Sequence, residues 1–242
     1  MEGNIQLQVI ARIRSDFPAK FGIPRQSGLV EELEAQIIFE PEFRNEAALR
    51  GLEGFSHLWL IWEFSKSKRD EWSPTVRPPR LGGNQRLGVF ATRSPFRPNP
   101  IGLSCIRLIG IDLRTAQGPV LRVSGADLMD GTPIYDIKPY LPYADCKPEA
   151  IGGFAARPKR SSLHVEISKA LFDRVPKEKQ AALEGVLAQD PRPSYQDDPQ
   201  RVYGMEFAGL EIRFRVEGDQ LMVCDICPKE SDEANLPVEK EP

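Results

Sequence analysis

His57-Leu-Trp-Leu-Ile-Trp-Glu-Phe64 decides the fold class: it is aromatic, apolar and of strand length, with no helical spacing of polar residues. Upstream, Ile5, Leu7, Val9, Ala11 and Ile13 alternate with polar residues, Ile10 excepted, which is strand period. Ala35 to Glu40, Leu87 to Thr92, Leu103 to Leu113 and Val120 to Ser124 read as further strands, punctuated by glycine, proline or asparagine. Asn45 to Gly51 is at most a short helix, with Asn45 as its cap. Many short strands with no long amphipathic helix predict a mainly β fold, closed or sandwiched, over residues 1–145.

Composition sets the outer limits. The chain has 242 residues and 22 prolines, about twice the usual share, so much of its ordered length must be loop. The longest apolar run, Leu58 to Trp62, is far short of the ~20 residues that span a bilayer. The start carries no basic end followed by an apolar stretch, so no signal peptide is expected. Four cysteines are not a disulfide scaffold, and the expectation is a reduced chain in the cytoplasm.

A formal charge of −3 excludes a uniformly basic coat, yet it hides an asymmetry. Between Ser65 and Leu108 nine basic residues face only Asp70 and Glu71, a local excess of +7. Seven of the nine are arginine, whose forked donors suit phosphate. Prolines and glycines run through the same segment, and stiff chain of this kind holds arginines in fixed places. A solvated basic loop is the plain alternative; a phosphate or RNA partner is the sharper expectation.

Beyond residue 145 the character shifts. Residues 146–160 read as a linker rich in proline, glycine and charge. Residues 161–228 read as a small α+β domain: a strand at Leu163 to Ile167, a helix at Lys177 to Gln189 with Pro176 in its first turn, and strands at Val202 to Phe207, Glu211 to Val216 and Leu221 to Asp225. Glu217-Gly-Asp-Gln220 is a hairpin turn. The acidic tail, 229–242, lacks aromatic residues and has the composition of a disordered segment.

Several chemistries have no signature. There is no G-x-G-x-x-G after a strand and no Walker loop, so neither an ordinary Rossmann site nor a P-loop is expected. Histidine is limited to His57 and His164, and Cys224-x-x-Cys227 stands alone, too little for a structural zinc. No metal is expected. A metal-dependent hydrolase using Asp127, Asp130, Asp136 and Asp145 is one alternative, although turns and prolines separate these carboxylates. A non-catalytic RNA-binding module using the arginines is another.

Three dense polar segments remain: Phe21 to Gly28, Arg77 to Ser104 and Asp127 to Tyr143. In the last, Asp130-Gly-Thr-Pro133 is a turn framed by Leu128-Met129 and Ile134-Tyr135, able to present amides and a carboxylate beside an apolar wall. An ordinary strand connection is the plain reading of the same four residues. The stretches PRQSGLV (24–30), RGLEGFSHLWLIWEF (50–64), GVFATRSPFRPNPIGLS (88–104), DLMDGTPIYDIKPYLPY (127–143) and, in the second domain, LAQDPRPSY (187–195) together resemble the TsaA/TrmO family over nearly the whole chain.

The resemblance implies an S-adenosylmethionine-dependent tRNA methyltransferase built on a β-barrel, not on a Rossmann-like fold. It implies methyl transfer to N6 of an adenosine 3′ of the anticodon that already carries a threonylcarbamoyl group. A homodimer with each cofactor near a subunit boundary is also implied. By motif position the cofactor contacts would be Pro24, Arg25, Gln26, His57, Leu58, Arg93, Leu103 and the turn Asp130, Gly131, Thr132 and Pro133.

Charge and shape suggest a division of roles. Arg93, or else Arg25, suits the cofactor carboxylate; Asp130 suits its ammonium; Leu103 and the turn's backbone suit its adenine. The attacking N6 must lose a proton to a carboxylate or a positioned water. Asp136 is the candidate base, with Asn99 or Tyr140 orienting the nucleobase; an ion pair between Asp136 and Lys138 is the competing reading. Arg77, Arg80, Arg86 and Arg97 are expected along the anticodon stem-loop, Phe96 or Tyr140 on the extruded base, and Arg192 and Tyr195 as contacts from the second domain.

Overall fold

A computed structural model describes residues 6–67, 71–156, 162–193 and 198–229. In chain order the first strands are β1 (Ala11–Arg14), β2 (Glu34–Phe39), β3 (His57–Glu63), β4 (Thr75–Val76), β5 (Leu87–Gly88), β6 (Ile101–Asp112), β7 (Val120–Ser124) and β8 (Pro133–Pro139). Six of them close a barrel in the order β1-β2-β7-β6-β3-β8, and β4 and β5 form a separate two-stranded ribbon.

The barrel follows from side-chain alternation. In β3, Leu58, Leu60 and Trp62 point inward and meet Ile13, Ile37, Ile106, Leu121, Val123 and Ile134 in one core. A fully buried Leu or Ile side chain contributes about 1.5–3 kcal/mol, so this interior is the main source of the barrel's stability. The barrel closes at a narrow seam. There β1 meets β8 at Ala11↔Ile134 and Arg12↔Pro133, extended by Ile10 N–H donating to the Ile134 carbonyl at 2.9 Å.

Three expectations change. The alternating run from Ile5 to Ile13 forms ladder only at Ala11–Arg14, because its partner β2 ends at Phe39, opposite Ala11, and the chain then turns at Pro41; Ile5 itself lies outside the described residues. The strand expected over 87–92 stops after Gly88, where Val89 buries itself, donates its N–H to the Pro74 carbonyl and starts a 3-10 turn. β8 was not anticipated, since prolines at both its ends read as turn rather than ladder.

The second unit contains β9 (His164–Glu166), β10 (Tyr203–Phe207), β11 (Leu210–Glu217) and β12 (Gln220–Pro228), in a sheet ordered β10-β11-β12-β9. Among the described residues α1 (Pro142–Asp145) follows β8 beside the barrel, while α2 (Lys169–Phe172) and α3 (Lys177–Ala188) belong to the second unit, where Leu183, Val186 and Leu187 of α3 bury against the sheet. The hairpin turns at Gly218-Asp219, with Glu217 opposite Gln220. Cys224 and Cys227 both lie within β12, and all four cysteines are free thiols. No described helix is long and apolar enough to cross a membrane.

The connection between β1 and β2 matters most for function. Phe17, Val30 and Leu33 bury not in the barrel but in the core of the second unit. Lys179 of α3 reaches Asp16 at 2.6 Å, and Gly185 lets α3 approach Val30 so closely that a Cβ there would meet Val30 Cγ1 at 2.7 Å. The second unit therefore grips both ends of the loop that carries Pro24, Arg25 and Gln26.

Candidate active site

A cavity of about 650 Å³ opens where β3 ends and β6 begins. The β1–β2 loop supplies Pro24, Arg25 and Gln26 to its wall; the barrel supplies Trp62, Glu63, Gly102 and Leu103; the basic segment supplies Thr92, Arg93, Arg97 and Asn99. Asp127, Met129 and Thr132 close it from the stretch between β7 and β8.

Gly102 makes the floor possible. Trp62 lies against it so tightly that a Cβ would sit 2.3 Å from the ring's Cε2. The indole N–H of Trp62 donates to Ser104 Oγ at 3.0 Å, and Ser104 Oγ–H donates to Asp127 Oδ1 at 2.6 Å. Burial pushes the Asp127 carboxyl above the usual carboxylate range; the Ser104 hydroxyl, backbone N–H groups and the Arg93 charge oppose that rise. Asp127 is thus held by the Ser104 hydroxyl and by backbone N–H groups while it lines the cavity.

The remaining polar wall is interconnected. Arg93 donates to Gln26 Oε1, and Arg25 reaches across to the Arg192 carbonyl at 3.1 Å. Glu63 accepts from the Tyr135 phenol, whose pKa is pushed up to about 12 by burial first and by that carboxylate second. The Arg97 guanidinium donates to the Thr92 carbonyl at 3.2 Å, which holds its head at the rim.

Of the expected cofactor contacts, the cavity gathers Pro24, Arg25, Gln26, Arg93, Leu103 and Thr132. Asp130, Gly131 and Pro133 stand beside Thr132 but do not line it. The Asp130 carboxylate instead accepts the Ser15 N–H at 2.9 Å, and the Gly131 carbonyl accepts from Arg12. His57 and Leu58 sit at the opposite end of β3. Leu58 is 0% exposed in the barrel core, and His57 contacts Ser56 and the Tyr140 ring.

The expected catalytic group divides in the same way. Asn99 lines the cavity. Asp136 does not: its carboxylate pairs with Lys138 Nζ at 2.9 Å and accepts the Ile137 N–H, so the ion-pair reading describes this residue. Tyr140 packs on His57 and Trp59, away from the cavity. Asp127, weighed in the sequence only as a metal ligand, is the aspartate that the fold brings in. The signal that would have found it is its place two residues past Gly125, whose φ of 73° turns the chain back at the end of β7.

Among the expected RNA contacts, Arg77 and Arg86 are exposed, and Arg80 falls in the turn Pro79–Leu81. Phe96 is partly buried. Arg192 is buried and forks onto Asp190 at 2.8 and 3.3 Å, so its guanidinium faces protein and not solvent. Tyr195 lies outside the described residues. The four aspartates of the hydrolase reading are engaged separately, Asp145 by the Trp59 indole and the Leu141 N–H. Among the described residues no three metal-ligating side chains converge.

A closed six-stranded barrel with a polar cavity at one strand end, joined to a small α+β unit, defines a β-barrel class distinct from doubly wound sheets. Residues 12–146 match the family model of the tRNA-methyltransferase O N-terminal domain, and residues 160–229 match that of the TrmO C-terminal domain. The chain belongs to the TrmO family. It is 41% identical over 221 residues to a tRNA (adenine(37)-N6)-methyltransferase of Escherichia coli K12, covering 88% of this chain and 94% of that one. A protein of the same description from Eikenella corrodens is 48% identical over 174 residues, covering 70% and 95%. A crystal structure of TrmO from Pseudomonas aeruginosa superposes with a TM-score of 0.73 at 35% identity, covering 93% of this chain and 99% of that one.

Proposed function

We propose that this chain transfers a methyl group from S-adenosylmethionine to N6 of adenine 37 in tRNA. One observation carries the reading: in a chain of this family, a single cavity gathers a cationic and amide-bearing wall, an apolar wall and a mostly buried carboxylate. Its volume is that of an ordinary small-molecule site. Arg93 and Gln26 suit a carboxylate; Pro24 and Leu103 suit the face of an adenine; Thr132 and the adjoining turn offer hydrogen bonds to its edge. When bound, the cofactor supplies a methyl group on a sulfonium, an electrophile that needs no acid to activate it.

The protein's task is then position and proton. The exocyclic nitrogen must shed a proton as it gains carbon, and in a threonylcarbamoyl-modified adenosine its lone pair is further delocalised. Asp127 takes that proton: Ser104 holds one carboxylate oxygen, and burial moves the group toward the pH at which a base works. Asn99 orients the base at the rim. Loops on rigid strand ends keep these groups at reacting distance, which removes much of the entropic cost of a bimolecular transfer.

Arg77, Arg80, Arg86 and Arg97 track the phosphates of the anticodon stem-loop. A homodimer in the cytoplasm completes the reading, with Ile101, Leu103 and Ile109, exposed on β6, meeting a second chain. A site at that boundary accounts for His57, remote from the cavity within one chain. The same reading assigns 1–145 to the catalytic barrel, 146–160 to the connection and 161–228 to the second domain. The tail from 230 to 242 lies outside the described residues.

The test is incubation with radiolabelled S-adenosylmethionine and two tRNA pools, with and without the threonylcarbamoyl mark, followed by nucleoside analysis. Label on N6 of adenine 37 in the marked pool supports the reading. Label in neither pool returns the chain to the binding-module alternative.

A further inference from the structure

Trp72 and Phe90 stand outside both cores, 51% and 72% exposed, with ring centroids 6.2 Å apart and planes inclined by 28°. Large aromatic side chains left in water together mark a contact surface. They come from two different stretches of chain, and the local structure holds them side by side. The β4–β5 ribbon pairs Thr75 with Gly88 and Val76 with Leu87. Val89 N–H donates to the Pro74 carbonyl at 2.9 Å, and buried Val89 anchors its exposed neighbour Phe90. Arg86 crosses the ribbon to Thr75 Oγ1 at 2.9 Å.

We infer that Trp72 and Phe90 form a stacking platform for an unpaired base of the RNA loop that delivers the target adenine. This rests on the methyltransferase reading. Three features select RNA as the occupant. The pair lies inside the segment whose net charge is +7, flanked by exposed Arg77 and Arg86. Every nucleobase offers a π-face, so an aromatic platform beside arginines suits a single-stranded loop whatever its sequence. Phe90 is three residues from Arg93 on the cavity wall, at most about 11 Å of extended chain, so a base beside the target falls within reach.

The test uses the full chain with S-adenosylmethionine, Trp72→Ala, Trp72→Phe and Arg86→Ala, and tRNA titrated at several salt concentrations. Trp72→Ala weakens tRNA binding about tenfold to a hundredfold with an unchanged salt slope and unchanged cofactor affinity. Arg86→Ala lowers the salt slope by about one. Trp72→Phe keeps the affinity but loses the fluorescence quenching that single-stranded RNA causes in wild type. Wild type that methylates tRNA while Trp72→Ala binds it normally overturns the platform alone. Wild type that neither binds nor methylates tRNA overturns the platform and the functional reading together. A Trp72→Ala variant whose sedimentation shifts in the absence of RNA overturns the platform in favour of self-association.

Discussion

Ser104 Oγ lies 2.6 Å from Asp127 Oδ1 and receives the Trp62 indole N–H at 3.0 Å, so a buried relay runs from the barrel core to the cavity wall. A hydroxyl donating to a carboxylate stabilises the charged form, against the burial that opposes it. Ser104→Ala removes the donor, so the Asp127 carboxyl rises further and ionises less readily. The acid limb of the methylation profile shifts to higher pH. On the acid side of the profile turnover at a given pH falls roughly tenfold, since a hydrogen bond to a charged group contributes about 1.5–3 kcal/mol. Raising the pH restores most of it.

Gly102→Ala places a Cβ inside the Trp62 ring's space, 2.3 Å from Cε2. The ring is held by the barrel core and cannot give way freely. Thermal unfolding should show a loss of about 1–3 kcal/mol, the range for overpacking. Cofactor affinity should fall with it, because Trp62 and Gly102 are both part of the cavity wall.

Arg93→Ala and Asp136→Asn separate a site residue from a surface one. Arg93 lines the cavity and in the proposed reading meets the cofactor carboxylate, so calorimetric titration should show cofactor affinity reduced at least tenfold. Asp136 pairs with Lys138 where both side chains are about half exposed, and such pairs contribute about 0–1 kcal/mol. Methylation by Asp136→Asn should stay within about twofold of wild type.

Removing everything after residue 146 strips the cover from Phe17, Val30 and Leu33. The shortened chain should aggregate or bind apolar dye, and should lose cofactor affinity as the loop with Arg25 and Gln26 loosens. A milder probe is Lys179→Met, which removes the partner of Asp16 and should reduce cofactor affinity more than it lowers the melting temperature.

Short apolar runs bounded by glycine, proline or asparagine were legible from the sequence: β2, β3, β6 and β7 fall within two residues of their expected ends. β8 was hidden because Pro133 and Pro139 bracket it, although Ile134-Tyr-Asp-Ile-Lys138 between them ladders with β3. The cavity lining was legible in part through dense polar motifs, which carry Pro24, Arg25, Gln26, Arg93, Leu103 and Thr132. The choice among aspartates was not, since spacing alone does not say which of Asp127, Asp130 and Asp136 faces inward. Barrel closure decides it, by setting Asp127 against Ser104 and leaving Asp136 to Lys138. Arg192 misled for a similar reason: a basic residue in a proline-rich stretch reads as surface, whereas Asp190 draws it into the interior.

Single-turnover methylation of tRNA by wild type and Asp127→Asn, on preformed complexes across pH, bears most directly on the role given to Asp127. Wild-type rates should rise with pH as the carboxyl ionises, and Asp127→Asn should be slower by about 10²–10⁴ and lack that limb, with cofactor affinity nearly intact. An Asp127→Asn enzyme that methylates at the wild-type rate with the same pH dependence would contradict the account.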